Sequence, residues 1–138
     1  MKIKLKRLDD AYHLEASNEE GCTIETDGSP AIGGGNKGMR PMQLLLAAAG
    51  SCSSIDIISI LKKQKQELKD LQVEVNGERE ANVVPSLFTD VHLHYILSGA
   101  LDDTKVKRAI ELSVDKYCSV VKILEKTAKV TYSYEIIN

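Results

Sequence analysis

Cys52 sits in the middle of the longest apolar run of the sequence, RPMQLLLAAAGSCSSIDIISILKKQ from Arg40 to Gln64, and is the first candidate for redox or nucleophilic chemistry. A thiol reacts as its thiolate, so the question is what could lower its pKa. Nothing local does. Cys52 lies eleven residues past Pro41, too deep for a helix N-terminus to reach it. On the residues alone it reads as an apolar filler, because free cysteine is among the most buried residue types. Cys118 has the better local setting. If Ser119 caps the short helix after it, the thiol lies at that helix's positive end, where a thiolate is favoured; the alternative is a helix-junction cysteine facing the core. Cys22 alternates with Ile24 on the apolar side of a strand and reads as core. Asp56 follows Cys52 by one helical turn and shares its face. A carboxylate there disfavours a neighbouring thiolate, which points to a supporting or structural role. Arg40 stands at the mouth of the same helix, beside a glycine-rich loop, where the simplest reading is a solvated surface cation. His92 and His94 share the polar face of one strand; two ligands with nothing to fix a third fall short of a metal site.

The elements that must position these groups follow from periodicity. Pro41 suits a first helical turn, and Lys62, Lys63 and Lys65 suit the last, where cations meet the negative end of the dipole. Between them Leu44 to Ala49 point in every direction around the axis, and a helix apolar all round is expected to be buried. Before it, KIKLKRL (2–8), YHLEAS (12–17) and CTIET (22–26) alternate as three short strands separated by turns. DGSPAIGGGNKGM (27–39) is a loop, with glycine too dense to pack. It lacks the GxxxxGK[ST] pattern and the tight strand-to-helix turn of a phosphate or dinucleotide cradle. After the central helix come strands at 70–80 and 88–99, an amphipathic helix at 102–117, a short helix at 119–126 and a closing strand at 129–137. On it Val130, Tyr132, Tyr134 and Ile136 face one way. Strands grouped in this way, βββ-α-ββ-α(α)-β, mean an α+β domain, mostly antiparallel, over residues 1–138.

Composition narrows the function classes. With 43% hydrophobic and 28% charged residues the chain has ordinary globular make-up. No Trp and a single Phe, Phe88, imply an aliphatic core. The net charge of −2, with both signs interspersed, gives no electrostatic case for nucleic acid or an anionic membrane. Asp56 and the serines at 51, 53, 54 and 59 argue against a membrane span. The N-terminus has no apolar signal region. Three widely spaced cysteines do not look like a secreted disulfide framework, so the expectation is a reducing, cytoplasmic setting.

Three strings, PMQLLLAAAGSCSSIDIISIL, GERE…P…FTDVHLHY and RAIELSVDKYCSV…VTYSYEI, resemble the OsmC/Ohr family, the osmotically inducible and organic-hydroperoxide-resistance proteins. The likeness runs over nearly the whole chain and is closest to the OsmC-like branch described as predicted redox proteins. Its most specific parts are the cysteine in the central helix and a second, in a YCSV context, 66 residues later. The resemblance implies an intertwined homodimer and a thiol-dependent peroxidase acting on small organic hydroperoxides in oxidative stress defence. Cys52 would be the peroxidatic thiol and Cys118 the resolving one. An external dithiol, such as a dihydrolipoyl group, would reduce the disulfide, and no metal or flavin is required. The family pattern also has a glutamate and an arginine that activate the first thiol. Here the helix start reads RPMQL, so Met42 holds the glutamate's position. Arg7 is the candidate from the N-terminal strand, and Arg40 an alternative at the helix mouth. The other reading is a non-catalytic member of the fold, a thiol redox sensor or hydrophobic-ligand binder.

Overall fold

The computed structural model describes residues 1–137. The chain divides into two compact units, Met1–Leu45 and the part from Leu46 onward; residue 138, the last of the expected single domain, lies outside the described residues. The order of elements is the expected βββ-α-ββ-α(α)-β, and the fold class is α+β.

In the first unit, β1 (Lys4–Arg7), β2 (Leu14–Ser17) and β3 (Thr23–Thr26) form an antiparallel meander with Leu5, Ala16 and Ile24 opposite one another. Its turns are built as the residue types dictate. The Asp9 carboxylate accepts from the Ala11 and His13 N–H groups, and Asn18 Oδ1 from those of Glu20 and Cys22. The apolar side, however, is open. Ile3, Leu5 and Ile24 are 54%, 62% and 52% exposed, so β1 is not the half-buried strand expected, and Cys22 is exposed rather than core. Alternation selects strands, but this unit holds little that could cover them. Among its described residues the helical pieces are one turn of 3-10 helix (Pro30–Ile32) and the first residues of α1 (Pro41–Lys63).

The glycine loop is tied rather than loose. Buried Asp27 accepts N–H groups from Gly28 at 2.7 Å, Lys37 at 3.0 Å and Gly35 at 3.1 Å, and the Asp27 N–H returns to Met39 O at 3.2 Å. These bonds, the Lys37 N–H foremost, hold the Asp27 carboxyl below its usual range. The loop's amide donors are thus spent on an internal carboxylate, not presented to a phosphate.

In the second unit, β4 (Glu67–Arg79), β5 (Phe88–Ala100) and β6 (Lys129–Ile137) form one sheet in that order. β4 and β5 are antiparallel, but β5 and β6 run parallel, which departs from the mostly antiparallel expectation. Parallel neighbours need a helical crossover, and α2 (Asp103–Leu112) with α3 (Ser119–Leu124) supplies it. The inward rows are apolar, Val75–Leu93–Tyr132 and Val73–Tyr95–Tyr134, and the outward rows polar, Glu74–His94–Ser133 and Asn76–His92–Thr131. His92 Nδ1 and Nε2 pair with Thr131 Oγ1 and Ser133 Oγ at 2.7 and 2.8 Å, and His94 Nδ1 shares the Ser133 hydroxyl at 2.7 Å.

The central helix packs by one stripe. Ala49, Ser53, Ile57 and Leu61, spaced by four, are buried together with Gly50. A Cβ at Gly50 would lie 3.0 Å from Val75 Cγ2 and 3.3 Å from Val73 Cγ1, so glycine lets the helix close onto the sheet. The opposite face is apolar yet open, Ile55 at 64% and Ile58 at 45% exposure, which corrects the expectation of burial all round. α1 is long and apolar enough to cross a membrane by length and composition, but its stripe is spent on the sheet.

The expected helix at 102–117 ends at Leu112 and passes into a wide π turn, Ser113–Tyr117, closed by the Cys118 N–H on Ser113 O at 2.8 Å. Widening the turn shifts the helical phase of the residues beyond it. Ser113 and Val114 stay inside, but Tyr117, expected on the apolar face, is 51% exposed, and Cys118 turns inward.

Candidate active site

Two helices and the π turn bring three ionisable side chains together. Cys52 Sγ, Cys118 Sγ and a carboxylate oxygen of Asp56 lie within 4.8 Å of one another. Cys52 and Asp56 are half-buried at the edge of the α1 stripe, one turn apart. Cys118 is fully buried, and its neighbourhood differs from the sequence expectation. Cys118 itself, not Ser119, caps α3, its Sγ accepting the Val121 N–H at 3.4 Å. The expected gain in acidity is also reversed. Burial pushes the thiol up to about 11, with contact from Cys52 adding to it, and the N–H groups of Val121 and Val120 offset only part. α3 has six residues, too short for a large dipole, whereas desolvation of the charged form acts in full.

Beneath the thiols runs a buried chain of hydroxyls. Tyr95 Oη donates to Ser53 Oγ at 2.7 Å, and Ser53 Oγ donates to Ala49 O at 2.8 Å. Ser113 Oγ donates to Asp56 Oδ2 at 3.0 Å and lies 3.2 Å from Ser53 O. Burial holds the Tyr95 phenol well above its usual value, so it stays a donor through neutral pH. Beside Asp56 opens a cleft of about 560 Å³ lined by Ser59, Ile60, Lys63, Leu112 and Tyr117.

Sequence reasoning missed Ser53, Ser113 and Tyr95 as a network. The signal was present, because a serine in a buried helical stripe and a tyrosine on the apolar face of a strand both need polar partners. That Asp56 meets both sulfurs was not legible, since the second sulfur arrives from beyond β5.

The remaining candidates sit in the first unit. Arg40 is the residue before α1. Its Nη1 donates to Gly38 O at 2.7 Å and its Nη2 to Asn36 Oδ1 at 2.5 Å, while Gln43 Oε1 accepts its backbone N–H at 2.9 Å. That last bond is half of a capping box. Met42 is half-buried at the second helical position. Arg7 Nε donates to Ala11 O at 3.1 Å, and its Nη2 donates to Asp10 O.

A family model described as OsmC-like protein matches residues 34–133. The chain belongs to the OsmC-like family. Protein YhfA of Escherichia coli K12 is 46% identical over 138 residues, which are 99% of this chain and 98% of YhfA. A hypothetical protein from Aquifex aeolicus VF5, 28% identical, superposes with a TM-score of 0.80 over 99% of this chain and 97% of its own. At 18% identity, an organic hydroperoxide resistance protein OsmC from Legionella pneumophila shares the fold, with a TM-score of 0.72 over 98% of this chain and 97% of its own.

Proposed function

We propose that this protein is a thiol-dependent peroxidase of organic hydroperoxides, acting as a homodimer in the cytoplasm in oxidative stress defence. The observation that carries this reading is the approach of the Cys52 and Cys118 sulfurs to within 4.8 Å, although 66 residues separate them. Closing to the ~2.05 Å of a disulfide is within reach of side-chain rotation.

The roles follow from the surroundings. Fully buried Cys118 holds its proton firmly and is unsuited to the first attack; half-buried Cys52 is the one a substrate can reach. The Cys52 thiolate attacks the O–O bond of the hydroperoxide: the S–O bond of a sulfenic acid forms, the O–O bond breaks, and the departing alkoxide takes a proton from solvent to leave as an alcohol. Cys118 then displaces that hydroxyl as water, closing the disulfide. A dithiol such as a dihydrolipoyl group restores both thiols by exchange, and the scheme needs neither metal nor flavin. The cleft beside Asp56, with Ile60, Leu112 and Tyr117 on its walls, has room for an alkyl group far larger than hydrogen peroxide. A second copy of the chain is the natural cover for the open Ile55 and Ile58 face of α1.

One observation favours a non-catalytic redox sensor or hydrophobic-ligand binder instead. Met42 stands where the family pattern has its glutamate, and the Arg40 guanidinium is committed to Gly38 and Asn36. Hydroperoxide consumption decides between them. With a dithiol present, the reduced protein is expected to turn over cumene or tert-butyl hydroperoxide, and Cys52→Ser to lose that turnover. Peptide mapping of the oxidised protein should find Cys52 joined to Cys118. Turnover equal to that of the serine variant would overturn the enzyme.

A further inference from the structure

Closing the disulfide raises a proton problem that the fold answers with a specific group. Cys118 S–H and the S–O bond of the Cys52 sulfenic acid break, an S–S bond forms, and the thiol proton must reach the departing hydroxyl to make water. Cys118 is fully buried, so bulk water cannot collect that proton directly. The titratable groups facing Cys118 among the described residues are Cys52 and Asp56 on α1 and Tyr95 on β5. Tyr95 is a committed donor, to Ser53 Oγ. Asp56 has an oxygen within 4.8 Å of both sulfurs.

We propose that the Asp56 carboxylate relays the proton from Cys118 to the hydroxyl leaving Cys52, with Ser113 as its positioning residue. This rests on the peroxidase reading and names the proton carrier of its second step. The carboxylate is tied to both partners. It lies one helical turn from Cys52, and Ser113 Oγ, at the start of the π turn that ends at Cys118, holds its Oδ2 at 3.0 Å. A carboxylate carries two oxygens, so one accepts the proton while the other side delivers it, and Asp56 ends the step unchanged. Resolution is the step in which the proton of buried Cys118 must move, and that is where the carboxylate acts.

Rapid quench of the fully reduced chain after tert-butyl hydroperoxide, with dimedone trapping and intact mass, follows sulfenic acid and disulfide separately. In Asp56→Asn the sulfenic acid should still form. Its conversion to disulfide should slow by about 100-fold, the usual scale of general acid–base assistance. Raising the pH toward the Cys118 range should progressively restore conversion in the variant, through hydroxide, while the native protein responds less. Asp56→Glu should recover part of the rate, which a purely structural role would not predict. Ser113→Ala, which keeps the carboxylate and loosens it, should slow conversion by about fivefold, the worth of one hydrogen bond, and serves if the asparagine variant does not fold. Native-rate conversion in Asp56→Asn, or in Ser113→Ala where that variant stands in, overturns the relay and leaves the peroxidase standing. Absence of sulfenic acid in the native protein overturns both.

Discussion

The two three-stranded sheets of this protein share one sequence rule and meet opposite fates. In the meander and just before it, Ile3, Leu5 and Ile24 alternate with polar residues as strictly as Val91, Leu93 and Tyr95 do on β5. Yet the first three are more than half exposed and the last three are fully buried. The difference lies in what the chain supplies to lay on each sheet. In the second unit the α1 stripe closes onto Val73 and Val75, and α2 adds buried Val106, Ala109 and Ile110. Within the first unit, strands of four residues have a loop and a single 3-10 turn. An alternating pattern therefore states which side of a strand is apolar and leaves open what covers it, including a second copy of the chain.

Three substitutions grade that contrast in stability, measured by denaturant unfolding. Leu93→Ala, at a fully buried site facing Val75 and Tyr132, should cost about 3 kcal/mol, the range for an aliphatic cavity. Tyr95→Phe keeps the packing and removes the donor to Ser53 Oγ. It should cost about 1 kcal/mol, and a larger loss would mean that the hydroxyl chain under the thiols acts as a cooperative unit. Leu5→Ala, on the open meander, should change the stability of a dilute sample by less than about 0.5 kcal/mol. A cost that grows with protein concentration would show that a second copy covers this face. A cost as large as that of Leu93→Ala in dilute solution would remove the contrast.

The two cysteines of the candidate site repeat the lesson at the scale of single residues. Judged by neighbours in sequence, Cys118 looked the more acidic, at the mouth of a short helix. In the fold it is the N-cap of that helix, yet burial lifts it to about 11. Cys52 looked inert within an all-apolar helix, but α1 buries only one stripe and leaves Cys52 at its half-buried edge. Local electrostatics are legible from sequence; desolvation is a property of everything packed around a group.

The order of elements, the glycine loop at 27–39 and the closing strand at 129–137 followed from spacing, because periodicity, turn residues and Pro41 at the helix start are local physics. The position of Asp56 one turn from Cys52 was equally local. Four things were decided by tertiary structure. The parallel pairing of β6 depends on a crossover whose path no local pattern records. The π turn, which swings Tyr117 out and Cys118 in, is invisible to a 3.6-residue period. The network of Tyr95, Ser53, Ser113 and Asp56 joins residues 42 and 57 positions apart. Last, the meeting of Cys52, Cys118 and Asp56 within 4.8 Å needs the chain to leave α1, cross two strands and a helix, and return. Residue type and local spacing named the reactive groups; which of them share one small space depends on the long-range packing that brings α1, β5 and the π turn together.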